Sequence, residues 1–141
     1  MSEEKKKKKI AIIVSKGTLD MAYPPLILAT AAVSMDMEAI LFFTMWGLNL
    51  IKKGGAEQAT LPTHVGVSAE AMNELIKKAG VLTVSEFIKM ALDMGVKMYP
   101  CEQVMKLMGI KKEDLIEGVE KPIGAATFLD MALESDIVLF I

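Results

Sequence analysis

Ile10-Ala11-Ile12-Ile13-Val14-Ser15-Lys16-Gly17-Thr18 is the stretch that decides the fold. It opens with five apolar residues in a row, most of them β-branched, with no polar alternation. So short a continuous run suits a strand covered on both faces, as in a parallel sheet. Ser15-Lys16-Gly17-Thr18 then reads as a turn, and Asp20 stands near the start of the next helix.

Working outward, Pro24 and Pro25 fit the first turn of a helix, where a missing N–H costs little. Leu26–Met37 follows as a helix apolar nearly all round, which implies burial between the sheet and another surface. Glu38–Phe43 is the second strand, and Thr44-Met45-Trp46-Gly47 stands at its end. Leu48–Lys53 reads as a short helical piece. Residues 54–67 hold closely spaced glycines and a proline, and form the one long loop-like stretch, a candidate mobile lid. Ser68 caps a helix through Lys78. Thr83-Val84-Ser85-Glu86 matches a capping box, and Gly95 ends the helix it opens. Val96–Tyr99 is a third strand, followed by Pro100-Cys101 and a helix over 102–108 that Gly109 stops. Lys111–Ile116 reads as a further short helix, Gly118-Val119-Glu120 as a fourth short strand, Ile123–Leu133 as the last helix and Asp136–Ile141 as the last strand. Strands alternating with helices predict a three-layer α/β/α domain with a mostly parallel sheet of four or five strands, Rossmann/flavodoxin-like in type. The domain is expected over 10–141, with 1–9 as a basic tail.

The 141 residues suit one domain with a proper core. The hydrophobic fraction is 52% and mean hydropathy is +0.40. So apolar a small domain is expected to bury surface at a subunit interface as well as in its core, which points to a homo-oligomer. The 12 methionines are scattered along helix-like stretches, which favours gap-filling in the core over a metal site. A net charge of -2 offers no field for nucleic acid. The run Lys5–Lys9 reads as a solvated tail ahead of the first strand. No uncharged stretch is long enough to span a membrane, and no apolar leader follows the charged start, so the cytoplasm is the expected compartment. One cysteine, Cys101, excludes an intrachain disulfide, a CxxC pair and a cysteine-rich zinc site. With His64 as the lone histidine, no metal site and no cofactor are expected.

In parallel sheets ligands sit outside the carboxyl ends of the strands. That rule gathers Ser15, Gly17 and Thr18 after strand one, Thr44 and Trp46 after strand two, and Cys101 after strand three. A thiolate is the reactive form of cysteine. The first turn of the helix after Cys101 would favour it through free N–H groups and a dipole worth about 0.3–1 kcal/mol. Glu102 works the other way. The alternative is a buried core cysteine. For Ser15, Thr18, Thr44 and Trp46 taken singly, turn chemistry and packing is the ordinary reading. His64, in the loop, reads as a surface residue.

Several segments resemble the DsrE/DsrF-like family, in its DsrE-related branch labelled peroxiredoxin-like. They are Ile10–Asp20, Phe42-Phe43-Thr44-Met45-Trp46-Gly47-Leu48-Asn49, Gly95–Cys101 with Val104-Met105 and Met108–Val119, and Gly124–Leu129 with Val138–Ile141. The resemblance covers nearly the whole chain. It implies an α/β/α fold, oligomeric assembly and a cysteine, matched by Cys101, that accepts and hands on sulfane sulfur or thiosulfonate. It also implies partners of three kinds, namely TusA-type sulfur carriers, rhodaneses and heterodisulfide-reductase-like proteins. This chain departs at Pro100, where Ala is common, at Glu102-Gln103, where small or hydroxyl residues are expected, and in a compact middle segment.

A sulfur-relay role, with Ser15, Gly17, Thr18, Thr44 and Trp46 around the substrate, is therefore the leading expectation. One alternative is a one-cysteine peroxidase. It would lack a guanidinium, since every basic residue besides His64 is lysine. The other is a non-catalytic binding or assembly module.

Overall fold

The computed structural model describes residues 6–141, so positions 1–5 of the expected tail lie outside the described residues. Ile12 shows how the sheet is built. It is fully buried, with Leu41 of one neighbouring strand and Leu139 of the other beside it in register. Four strands, β1 (Lys9–Val14), β2 (Glu38–Phe43), β3 (Lys97–Pro100) and β4 (Ile137–Phe140), form one sheet in the order β3-β2-β1-β4. All three pairings are parallel.

The helices are α1 (Leu19–Ser34), α2 (Ala69–Lys78), α3 (Val84–Asp93), α4 (Glu102–Met108) and α5 (Ala125–Leu133). Right-handed crossovers put the β1–β2 and β2–β3 connections on one face and the β3–β4 connection on the other. On the first face α1 packs on α3, with Tyr23 edge-on to Phe87 at 6.1 Å. On the second, Phe128 of α5 stacks on Phe42 at 4.6 Å. The result is the predicted α/β/α sandwich. Among the described residues no helix is long and apolar enough to cross a membrane.

Several boundaries differ from the sequence reading. Helix α1 begins at Leu19 rather than Leu26, so Pro24 and Pro25 sit in its second turn. Two backbone hydrogen bonds are lost there. Burial of Pro25 and Leu26 and the Tyr23 hydroxyl donating to the Leu82 carbonyl at 2.8 Å hold the turn regardless. The helical piece after β2 starts earlier and is a 3-10 segment, Met45–Ile51. Lys111–Ile116 contains only a 3-10 turn, Lys112–Asp114. Gly118–Glu120 is not a strand, and Ile123 precedes the last helix rather than opening it. Residues 120–123 instead form a strap along the free edge of β3. The Glu120 N–H donates to the Met98 carbonyl and the Ile123 N–H to that of Pro100. Lys9, at the end of the lysine run, already belongs to β1 and lies between Glu38 and Glu134.

Candidate functional site

Cys101 caps α4. It is held from both sides of the sheet edge. Its N–H donates to the Phe43 carbonyl at 2.8 Å, and the Glu102 N–H donates to the Ile123 carbonyl at 2.9 Å. Ile123 and Cys101 thereby form a parallel bridge. The Cys101 carbonyl accepts the Met105 N–H and starts the helix. One first-turn donor, the Glu102 N–H, is thus already used by Ile123. The two-turn helix contributes only a modest dipole. Cys101 is 7% exposed, more covered than the sequence reading expects of a donor-facing thiol, and four pockets among the described residues are lined by other side chains.

The last rows of the ladder are Val14–Phe43 and Phe43–Pro100, so Ser15, Thr44 and Cys101 each follow directly on one row at the carboxyl edge. The Thr44 N–H donates to the Val14 carbonyl. Ser15 is two strands away from Cys101, about 10 Å at ordinary strand spacing. Its hydroxyl and its N–H both donate to the Ile141 carbonyl at 2.9 Å, so Ser15 is turned toward β4. Gly17 packs against backbone, and a Cβ there would lie 2.2 Å from the Trp46 carbonyl oxygen. Thr18 caps α1 without a side-chain hydrogen bond, and its buried hydroxyl has no partner. Trp46 is 61% exposed on the rim. It follows Met45, which has a left-handed backbone (φ 46°), a conformation that a non-glycine residue holds only at a cost. The backbone bonds thus tie Cys101 to Phe43, the residue before Thr44. Ser15 stands apart from Cys101, Gly17 serves backbone contact, and His64 is exposed in the loop.

Two features escape a reading of the sequence alone. The Ile123 strap beside Cys101 comes from a segment 22 residues on with no strand signal of its own. A polar recess is walled by Asn49, Lys52, Lys53 and Gln58. Its one sequence trace is a lysine pair followed by a glycine pair, Lys52-Lys53-Gly54-Gly55.

An all-parallel α/β/α sandwich with a single cysteine where its edge strand gives way to a helix defines the class. The chain belongs to the DsrE/DsrF/DrsH-like family, whose model matches residues 6–64 and 58–140. It is 36% identical to the sulfur carrier protein DsrE2 of Allochromatium vinosum, over 95% of this chain and 98% of that protein. It is 30% identical to the uncharacterised protein YrkE of Bacillus subtilis, over 95% and 97%. Among solved structures, the ychN protein of E. coli superposes with a TM-score of 0.64 at 15% identity, covering 95% of this chain and 99% of that one. That last likeness concerns the fold.

Proposed function

We propose that this protein is a sulfur-relay protein that accepts sulfur on Cys101 and hands it to a second thiol. The observation that carries this is the position of its single thiol, at the carboxyl edge of a parallel sheet and the head of α4, in a chain 36% identical to a protein named as a sulfur carrier. The Cys101 thiolate attacks the outer sulfur of a donor persulfide. A new S–S bond forms, the donor's S–S bond breaks, and the donor leaves as a thiolate that takes up a proton. An acceptor thiolate then attacks the outer sulfur and releases Cys101. The sulfane sulfur moves without net oxidation. With a thiosulfonate donor the same displacement leaves a thiosulfonate on Cys101.

Thr44, the residue after Phe43, is the candidate polar neighbour, and Trp46 the candidate rim contact. Cys101 is covered, so a partner's thiol needs an opening, and release of the 120–123 strap would bare its edge. Carriers of the TusA type, rhodaneses and heterodisulfide-reductase-like proteins are the partner classes proposed, and the cytoplasm the compartment. A homo-oligomer is proposed as well, on the strength of the apolar side chains left open on α5 and β4: Leu129, Leu133, Ile137, Val138 and Phe140.

Intact-mass spectrometry after exposure to polysulfide, tetrathionate or a loaded carrier tests the chemistry. A reducible adduct is expected on wild type and none on Cys101→Ser. Wild type left unmodified by all three donors would overturn the proposal.

A further inference from the structure

The chain after β2 builds a recess at the carboxyl edge of the sheet, where residues 49–60 curl against Gly17 and outline an open pocket of about 290 Å³. Asn49, Lys52, Lys53, Gln58 and Thr60 line it, and no carboxylate does. The ion pairs among the described residues use other lysines. Lys52 and Lys53 therefore bring two adjacent positive charges to this opening, neither of them in an ion pair, in a chain of net charge -2. Glu113 and Glu117 share a neighbouring recess with Lys53 but form no ion pair with it, and two further acidic groups are engaged elsewhere. The Glu57 carboxylate accepts the Ser85 hydroxyl at 2.6 Å, and that of Asp114 accepts the Lys111 N–H at 2.8 Å.

The wall is also built to stay in place. Lys52 pairs with Leu115 in an antiparallel bridge. The Lys53 N–H donates to the Asp114 carbonyl, and the Gly55 N–H to that of Lys52, each at 2.9 Å. Gly54 turns with φ 76°. At Gly55 no side chain fits, because a Cβ would lie 1.7 Å from the Asn49 carbonyl oxygen. The backbone that carries these cations and amides is thereby held in place, and such a donor set suits a ligand that carries negative charge on several oxygens.

We propose that this pocket binds a small oxyanion, with Lys52 and Lys53 supplying the charge and the Asn49 and Gln58 side-chain amides supplying further donors. The volume lies just under the ~300–1,000 Å³ range of drug-sized small-molecule sites. That suits a phosphate- or thiosulfate-sized group better than a dinucleotide. The location at the carboxyl ends of parallel strands is where such folds hold ligands. Nothing in this site uses Cys101, so it stands or falls separately from the relay.

Isothermal titration calorimetry of the full chain at low ionic strength, with inorganic phosphate, thiosulfate and chloride, tests it. Saturable binding of one oxyanion per chain is expected, with none for chloride. K52Q/K53Q should weaken that binding at least about tenfold. K77Q/K78Q on α2 and Cys101→Ser should leave it unchanged. Preference for thiosulfate would assign a sulfur oxyanion, and preference for phosphate a phosphorylated ligand. If K52Q/K53Q melts early, amide shifts of wild type on titration decide, and they should cluster between Asn49 and Thr60. No saturable binding of either oxyanion up to about 10 mM, binding indifferent to K52Q/K53Q, or shifts confined elsewhere would overturn the proposal.

Discussion

Thr18 and Cys101 face opposite problems at the scale of single residues. Thr18 buries a hydroxyl with no partner and does not use it to cap α1. A buried polar group left unpaired costs about 1–3 kcal/mol, and an apolar group of the same shape removes that cost. Thr18→Val is therefore expected to melt at or above wild type, by up to about 1 kcal/mol in stability. A clear loss in thermal melts would mean that the hydroxyl has work to do in the folded protein. Gly17 is the reverse case. A methyl group there would collide with the Trp46 carbonyl, so Gly17→Ala should cost about 1–3 kcal/mol by overpacking in a denaturant titration. A loss near zero would show that the turn yields. Cys101 was legible from the sequence as the residue where a strand meets a helix. Its cover was not, because the strap that flanks it arrives from Ile123 through backbone hydrogen bonds that any side chains can make.

The elements show which local signals survive folding. Thr83-Val84-Ser85-Glu86 names its own structure: the Thr83 hydroxyl accepts the Glu86 N–H at 3.2 Å, and the Glu86 carboxylate accepts the Thr83 N–H at 2.9 Å. Thr83→Ala should cost about 1 kcal/mol in equilibrium unfolding. The Thr83 backbone N–H, and after it the Thr83 side chain, holds the Glu86 carboxyl below its ordinary range. The folded state thus binds that proton less readily than the unfolded chain. The stability linked to Glu86 is complete above the ordinary carboxylate pKa and fades as pH falls through the lowered folded value. Wild type should then lose more melting temperature on acidification than Glu86→Gln does, and equal losses would contradict the pairing. The same local logic misplaces the start of α1. Pro24-Pro25 points to a first turn, yet the apolar face from Leu19 to Ala32 gains more by burial than two missing hydrogen bonds cost. Gly118-Val119-Glu120 reads as a strand for its apolar core residue, whereas the contact with β3 falls on residues 120–123, at the free edge beyond the four-strand ladder.

For the whole molecule, alternation of strands and helices was enough to give layers and sheet type, because parallel connections leave few topologies. What surrounds the sheet was harder to read. The open apolar side chains on α5 and β4, among them Leu133 at 84% and Phe140 at 70% exposure, form the surface proposed for self-association. L133K/F140K should lower the assembly state in analytical ultracentrifugation, while wild type sediments as more than one chain. A monomeric wild type would remove that part of the account.

The most direct measurement follows the sulfur itself. Wild type is loaded with polysulfide, freed of excess donor, weighed intact, then mixed with an acceptor thiol and weighed again. The predicted result is a gain of whole sulfur atoms located by fragmentation at Cys101, and its disappearance onto the acceptor. A chain that gains no mass, or whose added sulfur stays in place in the presence of excess acceptor, would contradict the relay.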